Sequence, residues 1–255
     1  VDKQRVLITA GASGIGLAIA RAFHARGARV YVCDIDEAAL AALQTALPGV
    51  HTALCDIGSR AEIEKMVPDA AARLGGIDVL VNNAGIPGPT SSVESFDPDA
   101  WDRVMQINLN GTFNVTRMAI PYLRESKGGS VINMSSVAGR FGYPNRSAYS
   151  TSKWGLIGFT KSLSIELGID GIRVNALLPG ATDGPRFQHV LEGRARISGR
   201  SLDAVAADAM SSQSLKYLVD PAHIADMAVF LASESGRSIS GQALSIDGDM
   251  QHTAT

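Results

Sequence analysis

"RVLITAGASGIG", Arg5–Gly16, decides how the rest of the chain is read. The apolar run over 5–10 has the β-branched character of a strand. Three glycines follow, Gly11, Gly14 and Gly16, and a pattern with helical periodicity opens at 14 and continues to 27. Glycine turns the backbone tightly and lets an anion come close to it. The helix N-terminus adds unpaired N–H groups and the positive end of its dipole. Between a strand and a helix, such a loop points to the phosphates of a bound nucleotide.

Outward from that loop the chain alternates. Strand-like runs are expected at 5–10, 29–34, 51–56, 78–83, 130–136, 172–179 and 243–248. Most are apolar nearly throughout, as strands covered on both faces are. Helical patterns fill the gaps near 14–27, 36–47, 59–74, 98–124, 147–169 and 221–234. The last begins with Asp220 as N-cap and Pro221 at the first helical position. Pro68 stands inside the 59–74 pattern, where it removes a hydrogen bond and predicts a kink or a break. The alternation predicts an α/β fold of three layers, a doubly wound parallel sheet of seven strands flanked by helices, spanning 1–255 as one domain. Only 181–216 departs from it. Nearly forty residues there separate a strand from its next clear helix, which predicts short helices forming a substrate-binding lid.

Composition excludes several classes. The net charge of −2 gives neither a nucleic-acid footprint nor a polybasic membrane patch. No Cys/His cluster has metal-ligand spacing, so no metal is expected. Cys33 and Cys55 each end an apolar run and are expected as buried free thiols in a reducing compartment. The opening residues lead into a strand rather than a charged-then-apolar leader, and no run approaches 18 apolar residues. The expected location is the cytoplasm.

Candidate chemistry clusters at strand ends. Asp34 ends the second strand, 18 residues after Gly16. A carboxylate there can accept hydrogen bonds from both adenosine ribose hydroxyls and would repel a 2′-phosphate. Ala12 and Ser13 supply no cation to neutralise one, so NAD(H) is favoured over NADP(H). Tyr149 and Lys153 lie four apart on one helical face. Alone, such a pair is usually a solvated helix face. Near a bound cofactor, the ammonium can lower a phenol whose ordinary pKa is near 10. Ser136 ends the fifth strand, 13 residues before Tyr149, on the rim that carries the glycine loop. Asn108 sits mid-helix, where asparagine has poor propensity. "VNNAG", Val81–Gly85, closes the fourth strand on the same rim.

The ordered set of the glycine loop, "NNAG" (82–85), Asn108, Ser136, "YSTSK" (149–153) and "PG" (179–180) resembles the short-chain dehydrogenase/reductase family along essentially the whole chain. In that family's T-G-x-x-x-G-x-G loop the first glycine falls here at Ala10. The resemblance implies a Rossmann fold and an NAD-dependent oxidoreductase acting between secondary alcohol and ketone. Tyr149 would be the general acid/base, Lys153 would lower its pKa and hold the nicotinamide ribose, Ser136 would bind the reacting oxygen, and Asn108 would anchor a water leading to solvent. Gly11, Ser13, Gly14, Ile15 and Gly16 would meet the pyrophosphate region. Asp56 and Ile57 would flank adenine, Asn83 the adenosine ribose, and Pro179, Gly180 and Thr182 the nicotinamide amide. The threonine common five residues after that proline is Gly184 here. Family members are commonly tetramers, and the apolar surface of 154–167 suits a homotetramer. An epimerase or dehydratase on the same fold, or a nucleotide sensor, are the competing readings. Lid arginines Arg186, Arg194, Arg196 and Arg200 leave open an anionic group on the substrate.

Overall fold

The computed structural model describes residues 4–126 and 128–253. Seven strands form one sheet: β1 (Arg5–Thr9), β2 (Arg29–Asp34), β3 (His51–Leu54), β4 (Val79–Asn82), β5 (Ser130–Met134), β6 (Arg173–Pro179) and β7 (Ala243–Ile246). Their order is β3-β2-β1-β4-β5-β6-β7, and every pairing is parallel. Helices α1 (Gly14–His24), α2 (Glu37–Ala46) and α9 (Pro221–Ala232) cover one face. Helices α3 (Arg60–Leu74), α5 (Thr112–Glu125) and α6 (Ser147–Glu166) cover the other. Side chains of one strand therefore enter two separate cores: Val6 and Ile8 pack with α1, Leu7 with α3. That is why the central strands are apolar at consecutive positions. Among the described residues no helix is long and apolar enough to cross a membrane.

The strand order places the site. The chain winds from β1 outward to β3, then returns to lay β4 on the free side of β1. Connections leave the carboxyl ends of β1 and β4 in opposite directions, which opens a crevice there.

Two helical expectations gain detail. The 98–124 pattern is α4 (Pro98–Met105), a π-helical turn Gln106–Gly111, and α5. Widened turns of this kind arise where a helix carries an inserted residue, often at functional sites. Pro68 does not break its helix; α3 runs through it. The carbonyl deprived of a partner belongs to Glu64, on an exposed turn where water can satisfy it. Over 181–216 the chain forms α7 (Pro185–Ser198) and α8 (Leu202–Ser211), joined by a small core of Leu191, Val205 and Ala209. Cys33 and Cys55 are free and buried.

Candidate active site

A cavity of about 610 Å³ opens at the crevice. The glycine loop forms one wall through Ala10, Ser13, Gly14 and Ile15. Ala10 takes φ +49 and Gly14 φ +51. The left-handed turn that a glycine would make at 10 is thus made by alanine, at a steric cost. Gly11 and Gly16 do not line the cavity. A Cβ on Gly11 would stand 2.8 Å from Val32 Cγ1, and one on Gly16 would collide with the Ala10 carbonyl and stand 2.6 Å from Asn83 Nδ2. Both glycines let the loop close on β2 and β4, and Gly14 is left to face a ligand. Asn83 braces the turn: its Nδ2 donates to the carbonyls of Ala10 (2.8 Å) and Thr9 (3.2 Å), while Thr9 Oγ1 accepts the Asn83 and Ala84 N–H groups.

Two carboxylates mark the far end. Asp34, at the end of β2, is buried and accepts the N–H groups of Ala12 (3.0 Å) and Ile35 (2.8 Å). Asp56 is in the cavity wall beside Ile57. Burial disfavours its charge, but the Arg103 guanidinium at 2.8 Å and the Gly58 N–H outweigh this and hold the carboxyl below its usual value.

Tyr149 and Lys153 stand one turn apart on α6 at the near end. Lys153 is buried, and its Nζ donates to the Met134 carbonyl at the end of β5 (2.7 Å), 5.6 Å from the centre of the Tyr149 ring. Burial lowers the ammonium to about 8, against the pull of Tyr149. Burial pushes the Tyr149 phenol up, but Arg186, Lys153, the Ser136 hydroxyl and Arg146 together bring it down to about 8. Ser136 lines the same wall, with its oxygen accepting the Ala138 N–H (3.1 Å). Ser135 also borders the cavity, but its hydroxyl is engaged in donating to the Lys153 carbonyl (2.8 Å). Pro179, Gly180 and Thr182 line the cavity, and Thr182 Oγ1 donates to the Gly180 carbonyl (3.1 Å).

Asn108 lies behind this wall, fully buried in the π turn. Its carboxamide accepts the Ile86 N–H (2.8 Å) and donates to the Ile86 carbonyl and Ser152 Oγ (both 3.0 Å). It ties the segment after β4 to α6.

Sequence reasoning missed Arg146. This residue precedes α6, is 5% exposed, and sets its guanidinium carbon 5.0 Å from the Tyr149 ring centre. No sequence rule separates such a buried arginine from a surface one. The four lid arginines divide. Arg186 and Arg194 line the cavity, Arg200 pairs with Asp208, and Arg196 borders a smaller hollow with His189 and Glu192. Tyr143, Phe187 and Val190 also line the cavity; Phe141 lies under Arg140, and Leu191 is core.

A family model described as enoyl-(acyl carrier protein) reductase matches residues 9–251. The chain belongs to the short-chain dehydrogenase/reductase family. One relative, the D-beta-hydroxybutyrate dehydrogenase of Cupriavidus necator, is 35% identical, covering 97% of this chain and 98% of its own. Two solved members of the family superpose closely. Actinorhodin polyketide ketoreductase, crystallised as a variant with NADPH, has TM-score 0.92 and 33% identity over 96% of each chain. NAD+-bound xylitol dehydrogenase has TM-score 0.94 and 27% identity over 97% of this chain and 98% of its own. Both coenzyme forms occur among these relatives, so the choice between them rests on this chain's own residues.

Proposed function

We propose that this chain is an NAD(H)-dependent oxidoreductase interconverting a secondary alcohol and its ketone, with Tyr149 as general acid/base. The observation that carries the reading is a phenol lowered to about 8, beside a buried ammonium, in the cavity that also holds the glycine loop and a ribose-binding carboxylate. Relatives named as dehydrogenases of a hydroxy acid and a polyol, and as a ketoreductase, support it.

The residues fit a dinucleotide. Gly14 presents a turn at φ +51 to the cavity, and the Ser13 side chain makes no capping bond to its own helix. Asp34 favours NAD(H), because its carboxylate suits ribose hydroxyls and repels a 2′-phosphate, while the nearby Arg103 is occupied by Asp56. Asp56 and Ile57 suit the adenine, Asn83 its ribose, and Pro179–Thr182 the nicotinamide amide. When bound, the cofactor gives or accepts the hydride. In oxidation the Tyr149 phenolate takes the hydroxyl proton; in reduction the phenol returns it to the carbonyl oxygen. Ser136 holds that oxygen, and Lys153 favours the phenolate and binds the nicotinamide ribose. Asn108 fixes the wall from which Lys153 projects and suits a water path to solvent. Helices α7 and α8 act as a lid over a single domain.

The exposed Phe113, Trp154 and Ile165 on α5 and α6 support a homotetramer, in the cytoplasm where Cys33 and Cys55 stay reduced. The test is spectrophotometric: NADH formation over a panel of secondary alcohols, with NADP+ as comparison. Bound NAD+ without NADH from any alcohol would remove the reading.

A further inference from the structure

We infer that Arg146, Arg186 and Arg194 form a carboxylate clamp beside Tyr149, so that the substrate is a short oxo or hydroxy acid. The inference rests on the oxidoreductase reading and names its substrate class.

All three arginines line the main cavity, and all three gather at its reacting end. The guanidinium carbons of Arg146 and Arg186 lie 5.0 and 5.8 Å from the Tyr149 ring centre, and that of Arg194 lies 5.3 Å from the Tyr143 ring centre. They stand apart from the glycine loop and from Asp34, where the phosphates and adenosine of a dinucleotide belong. They are graded in depth: Arg146 is buried, Arg194 half-buried and Arg186 exposed at the mouth.

What marks them is the lack of a counter-charge. Buried cations in proteins are normally paired, because an unpaired one forfeits its hydration. Several other arginines of this chain have an acid partner: Arg5 pairs with Asp78, Arg103 with Asp56, Arg124 with Asp170 and Arg200 with Asp208; half-buried Arg173 has none, but it donates to the Leu231 and Gly236 carbonyls instead. Among the described residues none of the three clamp arginines forms an ion pair. Asp183 lines the cavity without pairing to any of them. Arg146 is the extreme case. It has five N–H donors and uses one side-chain bond, Nη2 to the Pro87 carbonyl (3.1 Å), while its Nε is buried with no partner. Aromatic faces compensate only part of the lost hydration. A ligand carboxylate held in the fork of one guanidinium and against the next supplies the rest.

Position then limits the ligand. The Arg146 and Arg186 guanidinium groups flank the ring whose oxygen handles the proton. A carboxylate on them leaves room for only a short spacer before the reacting carbon. An α- or β-oxo acid fits; a carboxylate at the end of a long chain does not.

The test pairs short α- and β-hydroxy acids with their primary amides as substrates for the NAD+-loaded enzyme. Calorimetric binding of malonate to the same complex is measured in parallel, with sulfate as control. We expect kcat/KM to favour an acid over its amide by roughly 30-fold or more. Arg146→Gln should collapse that ratio, with KM for NAD+ measured alongside, and should abolish malonate binding. Arg186→Gln serves should the first variant not fold. An amide turned over as well as its acid overturns the clamp and leaves the redox reading standing. Absence of NADH from every substrate, with malonate binding lost in the variants, does the reverse. Malonate binding that is absent, or matched by sulfate, or unchanged in both variants, overturns the clamp.

Discussion

Replacing Arg186 with glutamine should move the acid limb of the pH profile upward. Its guanidinium is the largest of the charges that lower Tyr149 towards about 8. At 5.8 Å from the ring centre, a unit charge contributes about 3 kcal/mol at an effective dielectric of ~20 and about 0.7 kcal/mol in bulk water. Arg186 is exposed, so solvent screens it and the lower half of that span applies. We expect the midpoint to rise by roughly 0.5–1 pH unit, at 1.36 kcal/mol per unit. The sign follows from which form is needed. Alcohol oxidation requires the phenolate, and losing a cation disfavours it. At pH 7, one unit below the present midpoint, kcat/KM for oxidation should fall roughly three- to tenfold. It should recover at pH values well above the new midpoint. The assay is the pH dependence of kcat/KM for a neutral secondary alcohol at low ionic strength, so that any loss of carboxylate binding does not enter. Added salt should shrink the difference between the two proteins. A midpoint that stays put, or a loss of rate equal at every pH, would refute an electrostatic role for Arg186 on Tyr149.

Other outcomes follow from the cofactor wall. Asp34→Ala should raise KM for NAD+ at least about tenfold, by the loss of two charge-assisted hydrogen bonds to ribose, and should narrow the gap to NADP+. Initial rates with both coenzymes check this; an unchanged NAD+/NADP+ ratio speaks against the assignment. Ala10→Gly should stabilise the fold by about 0.5 kcal/mol, because the strain at φ +49 exceeds the entropy that glycine adds to the unfolded chain. Denaturant melts measure it, and a lower midpoint would contradict the reading.

Much of this molecule was legible because two periodicities carry it. The glycine loop marks where a strand meets a helix, and the alternation that follows leaves few arrangements other than a doubly wound parallel sheet. The order of Asn108, Ser136, Tyr149 and Lys153 places one group on a π turn, one at a strand end and two on one helix face, and the fold brings them together. What escaped depends on burial and on the third dimension. Arg146 sits three residues before Tyr149, yet its sequence neighbours do not say that it lies buried against the ring without an ion-pair partner. Four lid arginines look alike in sequence; only the packing of α7 against α8 turns Arg186 and Arg194 inward and gives Arg200 to Asp208. Asn108 is low in helix propensity, but propensity does not reveal that the turn widens around it. Pro68 leaves α3 uninterrupted, and the carbonyl it deprives of a partner lies on an exposed turn, which the sequence alone does not say.

The most direct test is Tyr149→Phe, assayed for NADH formation and, separately, for NAD+ binding by fluorescence titration. The expected result is turnover reduced by several orders of magnitude, with the dinucleotide still bound. Wild-type turnover in that variant would contradict the central claim, since the ring would remain and only the phenolic oxygen would be gone.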